Sequence, residues 1–492
     1  MSQTRLRVRY APSPTGYLHV GGLRTALYNE LLARKNGGDF ILRIEDTDQT
    51  RFVPGATENL CRSLKRCGVE ANEGVWIDDQ GHLIERGEYG PYTQSKRKEK
   101  HQAYAEQLIA MEKAYPCFCT SERLDKLREE QQLMKQPTMY DGHCRNLTSG
   151  EAQGRIAAGE AHVIRLKLPK EGSITIDDVI RGQVTFDWKL IDDQVIIKSD
   201  GFPTYHLAAM CDDHDMQITH VIRGEEWLSS TPKHLFIFSC FGWEAPRFAH
   251  LPLLLNPDRS KLSKRQGDVA VEDFLDKGYL PEALVNFVAM LGWNPTGDRE
   301  IYTHNELRSL FALENVNKSG AILNLEKLDW INEQYLRALS DTDYLQLVRP
   351  LTTVSIEDPA ILDRALLLIR ERLQRLNQVQ ECIEPLFKEP SYKTVTLTWK
   401  TQSPETAKQI LSALREFLQT QTEDFWAWGN RPAMEQAIKT WITKNNWQNG
   451  EVLWPTRVAL SGQEKSPSPF ELLETYGKSM SLQRIDAAIA SL

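Results

Sequence analysis

The segment RYAPSPTGYLHVGG, residues 9 to 22, decides the first part of the fold because it joins an apolar strand to a helix through a turn rich in proline and glycine. Apolar positions then recur at helical spacing and predict a helix from about residue 18 to residue 35. Gly21 and Gly22, in the first turn of that helix, would let a nucleotide approach the backbone, with free amides and the positive end of the helix dipole facing its phosphates. His19 would lie beside these phosphates.

A second segment, KLSKR at residues 261 to 265, places cations in a loop far along the chain. Taken alone, this segment is typical of an exposed basic loop, and the first segment fits an ordinary strand, turn and helix. Their order supports a functional interpretation, because a histidine with glycines at a strand-to-helix turn precedes a lysine loop that follows the second half of an α/β region. Together the two segments indicate a protein that handles the phosphates of ATP without a P-loop.

The composition describes a globular chain of 492 residues, long enough for about three to five domains of roughly 100 to 200 residues each. The N-terminus lacks an apolar stretch of signal-peptide type, and no segment approaches the roughly 18 apolar residues of a membrane span. The net charge of −8 does not suggest a general nucleic-acid binder. Eight cysteines, mostly scattered, favour a reducing compartment. We expect a protein without a membrane segment that works in the cytoplasm, or in an organelle after processing.

Strand and helix patterns alternate from residue 6 to about residue 84, which predicts a parallel sheet covered by helices. The alternation lapses between about residues 89 and 199, where a long polar helix, a cysteine segment and short strands suggest an insertion. It resumes at Tyr205 and ends with a strand around residues 218 to 222. Beyond about residue 335 only helical periodicity remains, so the C-terminal part is predicted to be all-α.

These segments resemble the signatures of the class I aminoacyl-tRNA synthetases. HVGG and KLSKR match the two family signatures, and three further segments are similar to the glutamyl branch: RIEDTD at 43 to 48, KSDGFPTYHLA at 198 to 208 and VIRGEEW at 221 to 227. The resemblance covers nearly the whole chain and is strongest before about residue 335. The chain departs from the family pattern at Gly22, where many class I enzymes have a second histidine, so the role of that imidazole does not carry over.

The resemblance implies an α/β fold: a class I Rossmann-type parallel-sheet catalytic domain with an α+β insertion and an all-α C-terminal anticodon-binding region. The insertion would hold the acceptor stem of the tRNA and would divide the catalytic domain into two halves. The expected ranges are 1–84 and 201–250 for the two catalytic halves, 85–200 for the insertion, 251–335 for a stem-contact domain with the KLSKR loop, and 336–492 for the anticodon-binding region, with a subdomain break near 390.

The resemblance also implies ATP-dependent ligation of L-glutamate to the 3′-terminal adenosine of tRNA(Glu) through a glutamyl-adenylate, with release of AMP and pyrophosphate. ATP and Mg²⁺ are the expected cofactors, tRNA(Glu), L-glutamate and ATP are the expected partners, and a monomer is the expected state. His19 would donate to the reacting phosphate oxygens, and Gly21 and Gly22 would bind ATP with it. Lys264 and, less directly, Lys261 would neutralise the leaving pyrophosphate, since positioning and fixed positive charge supply most of the rate in such a reaction.

Glutamate binding needs a cation for each carboxylate and an anion for the ammonium group. By resemblance Arg9 and Arg223 bind the carboxylates, Glu45 binds the α-ammonium, and the pocket is shaped by Ala11, Ser13, Tyr205 and Trp227. The alternative is that Arg43 with Glu45, or Arg223 with Glu226, forms a structural ion pair, and for Arg43 we favour this alternative. A buried guanidinium at Arg223 would face a neutral amide without a counter-ion, which favours glutamate over glutamine.

Contacts with tRNA are expected at two places. Asp48 and Arg51 follow the Glu45 strand and would touch the tRNA end. Arg370, in the helical C-terminal part, is a candidate for reading the anticodon, where bases are commonly stacked on aromatic and arginine side chains.

Cys117, Cys119 and Cys144 match three ligands of a structural zinc site that some glutamyl enzymes contain. In that site a histidine two residues after the third cysteine completes the set, but Asn146 occupies this position here. A structural zinc ion takes four ligands. Tyr140 or His143 as a substitute ligand, and the absence of zinc, remain the alternatives.

Three rival functions stay open. The first two are a glutaminyl ligase and the shorter paralogue that charges a modified tRNA base, although that paralogue lacks the helical C-terminal half. The third is a tRNA-binding protein without catalysis, which predicts damaged signatures, whereas His19, Lys264 and Glu45 are present. The sequence leaves undetermined whether the glutamine tRNA is also charged.

Overall fold

The computed structural model describes residues 5–262, 269–295, 297–391 and 394–492. The chain divides into two compact units. The first comprises residues 1–276 and 281–331, and the second comprises residues 277–280 and 332–492. The last of the three changes from one unit to the other falls within the helix Leu325–Ala338.

A mixed β-sheet forms the centre of the first unit. The strands of this unit are, in chain order, β1 (Arg7–Tyr10), β2 (Asp39–Leu42), β3 (Glu73–Ile77), β4 (Leu83–Arg86), β5 (Ala114–Cys117), β6 (Val163–Leu166), β7 (Ser173–Asp178), β8 (Gly182–Asp187), β9 (Val195–Ile197), β10 (His220–Gly224), β11 (Arg247–Leu251), β12 (Leu254–Leu255) and β13 (Ala321–Ile322). The central sheet has the order β4-β3-β2-β1-β10-β11-β7-β8. Neighbours from β3 to β7 run parallel, and the edge strands β4 and β8 run antiparallel. The predicted parallel sheet is therefore confirmed, with an antiparallel strand added at each edge.

Strands β7 and β8 extend the central sheet, although they come from the segment that the sequence suggests as an insertion. Asp178, the last residue of β7, pairs with Phe248 of β11. The other strands of that segment, β5, β6 and β9, form a separate antiparallel sheet. The segment thus contributes to two sheets and brings Asp178 next to β11.

Helices surround the sheets of the first unit, and the first of them anchors the proline- and glycine-rich turn. Leu23, Leu27 and Leu31 recur every four residues on this helix and are fully buried, and the polar residues Asn29 and Glu30 are buried as well, so more than one face of the helix is enclosed. The helices are α1 (Val20–Lys35), α2 (Ala56–Arg66), α3 (Lys98–Ala110), α4 (Ser121–Leu133), α5 (Ser149–Ala157), α6 (Tyr205–Asp215), α7 (Thr231–Phe241), α8 (Val271–Asp276), α9 (Pro281–Ala289), α10 (His304–Leu310) and the connecting α11 (Leu325–Ala338).

The second unit is helical, which confirms the prediction for the C-terminal part. Its further helices are α12 (Asp341–Val348), α13 (Pro359–Ile369), α14 (Val379–Phe387), α15 (Pro404–Gln419), α16 (Arg431–Lys444), α17 (Asn449–Ser461) and α18 (Pro469–Ser491). Helix α13 ends at Ile369, and further along the chain the Leu376 amide donates to the carbonyl of Gly278 at 3.0 Å. No helix among the described residues combines the length and apolar content needed to cross a membrane.

Candidate active site

A cavity of about 960 Å³ opens where the chain leaves the carboxyl ends of β1, β2, β10 and β11. Strand β1 lies between β2 and β10, so the sheet order reverses at this point, as at the ligand sites of other open α/β sheets. The cavity lining includes the predicted substrate, nucleotide and tRNA-end residues that the structure describes: Arg9, Ala11, Ser13, His19, Gly21, Gly22, Glu45, Asp48, Arg51, Tyr205, Arg223, Trp227 and Lys261. The fold therefore gathers side chains from segments more than 200 positions apart.

His19 is the N-cap residue of α1, and its imidazole bonds to the helix that follows. The Gly22 amide donates to Nδ1 of His19 at 3.1 Å. Since Nδ1 accepts this bond, a neutral His19 carries its proton on Nε2. The expectation of free amides in the first turn is wrong for two residues, because Gly22 donates to His19 and Val20 donates to the carbonyl of Val269 at 2.9 Å.

Close packing explains the glycine at position 22. A Cβ atom there would lie 2.6 Å from the Tyr10 hydroxyl and 2.9 Å from Cδ1 of Leu18. At Gly21 the nearest atoms to such a Cβ belong to the His19 ring, at 3.1 Å. The position at which this chain departs from the class I pattern therefore has no room for a second imidazole beside Tyr10.

The second signature lies partly outside the described residues, and Lys264 is among the residues that are not described. Lys261 is described, is exposed and lines the cavity. Its neighbour Leu262 donates to the carbonyl of Leu254 at 3.0 Å, and beyond the gap Val271 donates to the carbonyl of Leu18 at 2.8 Å. Both flanks of the lysine segment are thus fixed to elements that border the cavity.

Arg9 and Glu45 belong to a buried chain of charges. Asp213 of α6 accepts from Nε of Arg9 at 3.1 Å and from Nη1 of Arg43 at 2.8 Å. Nη2 of Arg43 lies 3.0 Å from Oε1 of Glu45. Arg43 is fully buried, which confirms its interpretation as a structural partner of Glu45. Burial raises the pKa of Glu45, and this effect outweighs the nearby cations of Arg43 and Arg9.

Arg223 is a buried cation whose neighbours are neutral acceptors. Within the described part of the chain no carboxylate lies within ion-pair distance of its guanidinium, so the alternative pairing with Glu226 is not observed. Its N–H groups face Nε2 of His250 at 3.1 Å, Nδ1 of His234 at 3.2 Å, the Tyr205 hydroxyl at 2.9 Å, Oγ1 of Thr231 at 2.9 Å and the Trp227 carbonyl at 3.4 Å. The rings of Tyr205 and Trp227 lie 4.3 Å apart and close one side of this pocket.

Burial favours the neutral form of the histidines beside Arg223. Burial lowers the pKa of His234 well below its ordinary value, and the Arg223 charge adds to this effect. Burial likewise lowers the pKa of His250, although its Nδ1 lies 2.6 Å from the carboxylate of Asp178. Burial also lowers the pKa of His206 to about 3. Nδ1 of His206 lies 3.1 Å from Nε2 of His234.

Sequence reasoning missed Asp178, Asp213, His234 and His250. Asp178 and His250 lie 72 positions apart, and Arg9 and Asp213 lie 204 positions apart, so no local spacing joins either pair. A weak signal existed for His234, since Thr231 and His234 are three positions apart in α7 and therefore share a helix face.

The residues expected to contact tRNA lie at two separate places. Asp48 and Arg51 pair at the cavity, with Nε of Arg51 2.6 Å from Oδ2 of Asp48. The Thr50 hydroxyl and Arg51 lower the pKa of Asp48 to about 2. In the second unit, Nη1 of Arg370 lies 2.9 Å from Asp341, and its guanidinium lies 5.3 Å from the centre of the Tyr344 ring.

The three predicted cysteine ligands come together in the first unit. The sulfur atoms of Cys117, Cys119 and Cys144 all lie within 4.8 Å of one another. The Tyr140 hydroxyl lies 3.3 Å from the sulfur of Cys117 and 3.5 Å from that of Cys119. Of the two alternative fourth ligands, Tyr140 therefore has its oxygen among the sulfurs.

Comparison with known proteins finds two matching families. Residues 5–330 match the catalytic domain of class I tRNA synthetases (E and Q), and residues 343–489 match an anticodon binding domain. Among curated proteins the chain is similar to the glutamate–tRNA ligases of Clostridioides difficile (45% identical, 98% of each chain covered) and Chloroherpeton thalassium (45% identical, 100% and 99% covered). Among solved structures it is similar to a glutamate tRNA ligase from Elizabethkingia meningosepticum, with a TM-score of 0.87, 36% identity and coverage of 99% and 100%.

Proposed function

The chain belongs to the class I tRNA synthetases of the glutamate and glutamine branch, and from this membership we propose that it uses ATP to attach L-glutamate to the 3′-terminal adenosine of tRNA(Glu). The observation that carries the choice of glutamate is Arg223. This buried cation lines the cavity and has no carboxylate partner among the described residues. A negatively charged side chain in the substrate would supply the missing counter-ion.

The first step forms an acyl phosphate anhydride. An oxygen of the glutamate α-carboxylate attacks the α-phosphorus of ATP, the bond from that phosphorus to the bridging oxygen breaks, and pyrophosphate leaves. Negative charge grows on the phosphoryl oxygens, so fixed donors accelerate the step. His19 donates from Nε2, because its Nδ1 already accepts the Gly22 amide. Lys261 and Lys264 neutralise the leaving group.

The second step transfers the glutamyl group. A ribose hydroxyl of the terminal adenosine attacks the carbonyl carbon of the adenylate and an ester bond forms. The bond from that carbon to the phosphate oxygen breaks, AMP leaves, and the hydroxyl proton is released. Asp48 and Arg51 lie at the cavity and are half-exposed or exposed, which suits contact with the end of a large substrate. Arg370 in the second unit is the proposed anticodon contact.

The amino acid is oriented by opposite charges. Arg9 and Arg223 bind its two carboxylates, and Glu45 binds its ammonium group, while Ala11, Ser13, Tyr205 and Trp227 shape the pocket. Arg43 and Asp213 hold Glu45 and Arg9 in place through contacts of 2.8 to 3.1 Å. A preorganised arrangement of this kind loses little free energy to side-chain ordering when the substrate binds.

Two metals belong to the proposal. Mg²⁺ bound with ATP would offset the charge of the phosphates. Cys117, Cys119 and Cys144 would supply three of the four ligands of a structural zinc ion, and the Tyr140 hydroxyl beside two of the sulfurs is the proposed fourth. We further propose that the protein is a cytoplasmic monomer, and its eight free cysteines support a reducing compartment.

Aminoacylation with labelled L-glutamate, ATP and Mg²⁺ tests the proposal, with purified glutamate and glutamine tRNAs in parallel and labelled glutamine as the competing amino acid. We expect transfer of glutamate to tRNA(Glu). Transfer of glutamate to both tRNAs would show that the protein also charges the glutamine tRNA. Transfer of glutamine would contradict the role of Arg223. Absence of transfer by folded protein would favour a tRNA-binding protein without catalysis. Arg223→Gln should abolish glutamate transfer, whereas Arg62→Gln on the exposed face of α2, outside the cavity lining, serves as the matched control.

A further inference from the structure

The guanidinium of Arg223 is connected to a carboxylate through a histidine. Nε of Arg223 lies 3.1 Å from Nε2 of His250, and Nδ1 of the same ring lies 2.6 Å from Oδ2 of Asp178. Arg223 is 5% exposed, Asp178 is 2% exposed and His250 is fully buried. The three side chains come from the neighbouring strands β10, β11 and β7.

These contacts fix the proton of His250. An arginine N–H can only donate, so Nε2 of His250 accepts and its proton resides on Nδ1, which donates to Asp178. A protonated His250 would turn an N–H toward Arg223. Burial, which lowers the pKa of His250, keeps the ring in the neutral form that this arrangement requires.

Asp178 is held as an acceptor for this purpose. Its Oδ1 accepts from the backbone amides of Ile180 at 3.0 Å, Arg181 at 2.8 Å and His250 at 3.3 Å. Because Oδ1 takes the amides, Oδ2 is directed at the imidazole. Hydrogen bonds to the charged form, led by that of His250, outweigh burial and lower the pKa of Asp178.

We infer that His250, oriented by Asp178, is a positioning residue of the amino-acid pocket that holds Arg223 through a neutral acceptor and so leaves its positive charge for the side-chain carboxylate of the substrate. The inference rests on the proposed function. It assigns to Asp178, a residue of the segment between the two halves of the sheet, a part in selecting the amino acid.

The choice of a histidine at this point follows from charge. A carboxylate in direct contact with Arg223 would offset the positive charge of the guanidinium and weaken its preference for an anionic substrate. An apolar side chain would leave the buried Nε without a partner, which is unfavourable for a charged donor. A neutral imidazole avoids both outcomes, and the remote carboxylate polarises the imidazole without pairing with the arginine.

The test compares His250→Phe, which removes the acceptor, with His250→Gln, whose amide oxygen can accept from Arg223. Asp178→Asn provides an independent variant. The control is His220→Gln, which changes a half-buried histidine of β10 outside the cavity lining. For each full-length protein the KM for glutamate, the KM for ATP, kcat and inhibition by L-glutamine are measured in tRNA aminoacylation, and the thermal midpoint is recorded.

We expect His250→Phe and Asp178→Asn to raise the KM for glutamate about tenfold or more, as loss of a hydrogen bond to a charged group commonly does. The KM for ATP should stay within about twofold of the wild-type value. Inhibition by L-glutamine should become stronger relative to glutamate binding. His250→Gln should show a smaller rise in the KM for glutamate than His250→Phe. An unchanged KM for glutamate in folded variants would overturn the inference. A parallel rise of the KM for glutamate and the KM for ATP, with no recovery in His250→Gln, would overturn it as well. If His250→Phe does not fold, His250→Gln and Asp178→Asn decide. Failure of the wild-type protein to use glutamate would instead refute the proposed function.

Discussion

Asp213 holds the guanidinium of Arg9, with Oδ1 3.1 Å from Nε and Oδ2 3.4 Å from Nη2. The same carboxylate lies 2.8 Å from Nη1 of Arg43, which in turn pairs with Glu45. Asp213 is 1% exposed. One buried carboxylate of α6 therefore fixes two arginines on β1 and after β2, and through them it sets the positions of a proposed carboxylate ligand and of the proposed ammonium ligand.

Asp213→Asn should damage both stability and glutamate binding, because it leaves Arg9 and Arg43 without their shared counter-ion. Loss of one partner from a buried ion pair typically costs about 3 to 5 kcal/mol of unfolding free energy. The KM for glutamate should rise at least about tenfold. Denaturant unfolding and aminoacylation kinetics measure the two effects, with Asp79→Asn in the exposed turn between β3 and β4 as the control. Unchanged values for both would contradict the role of Asp213.

His19 can be divided into a capping role and a chemical role. His19→Asn keeps a side-chain oxygen able to accept the Gly22 amide, whereas His19→Ala loses the cap, which costs about 1 kcal/mol. Both variants lose the Nε2 donor, so kcat should fall about 10²- to 10³-fold in both. Thermal melting should separate them, with a lower midpoint only for alanine. Near-normal kcat in the asparagine variant would show that the imidazole is not needed for chemistry.

Gly22→Ala should destabilise the fold by about 1 to 3 kcal/mol through overpacking, because the new Cβ would meet the Tyr10 hydroxyl at 2.6 Å. Removing that hydroxyl in the double variant with Tyr10→Phe should restore part of the loss. The control is Gly154→Ala in α5, where a Cβ would meet no atom within 4 Å, and this change should stabilise the protein slightly. Equal effects of the two alanine substitutions in denaturant unfolding would disprove the steric explanation.

The buried histidines near Arg223 should make the protein less stable in mild acid. The pKa of His206 falls from 6.5 to about 3 on folding. Below about pH 6.5 the unfolded chain binds a proton that the folded chain does not bind, so the unfolding free energy falls by up to about 1.4 kcal/mol per pH unit. His206→Gln should reduce this slope, measured by unfolding between pH 7.5 and 5.5, and exposed His82→Gln should not. Identical slopes in the wild-type protein, His206→Gln and His82→Gln would show that His206 does not cause the pH dependence.

The cysteine cluster should bind about one zinc ion per chain. Metal analysis of the purified protein tests this, and a chelator should lower the thermal midpoint if zinc stabilises the fold. Cys144→Ser and Tyr140→Phe should both weaken zinc retention, and Cys240→Ser, a half-buried thiol outside the cluster, should not. A protein that contains no zinc after expression with added metal would exclude the metal site.

The sequence predicted the regular secondary structure well. Helix α1 begins within about two residues of its predicted position, because apolar periodicity and turn residues are local signals. By contrast, the Leu376 amide bonds to the carbonyl of Gly278, and no local signal in the sequence indicates a contact over 98 positions.

In the candidate site, too, some residues could be predicted from the sequence and others were found only in the structure. Motifs identified the residues that line the cavity, including His19, Glu45 and Arg223, because residue type and order can be read directly from the sequence. The residues that hold them, Asp213 and the pair of Asp178 with His250, belong to strands and helices far apart in the chain, and no spacing links them. The order of the amino acids is enough to predict which charges lie at this edge of the sheet. Their partners depend on the fold, because hydrogen bonds between buried groups form according to which strands become neighbours and which polar atoms are left without water.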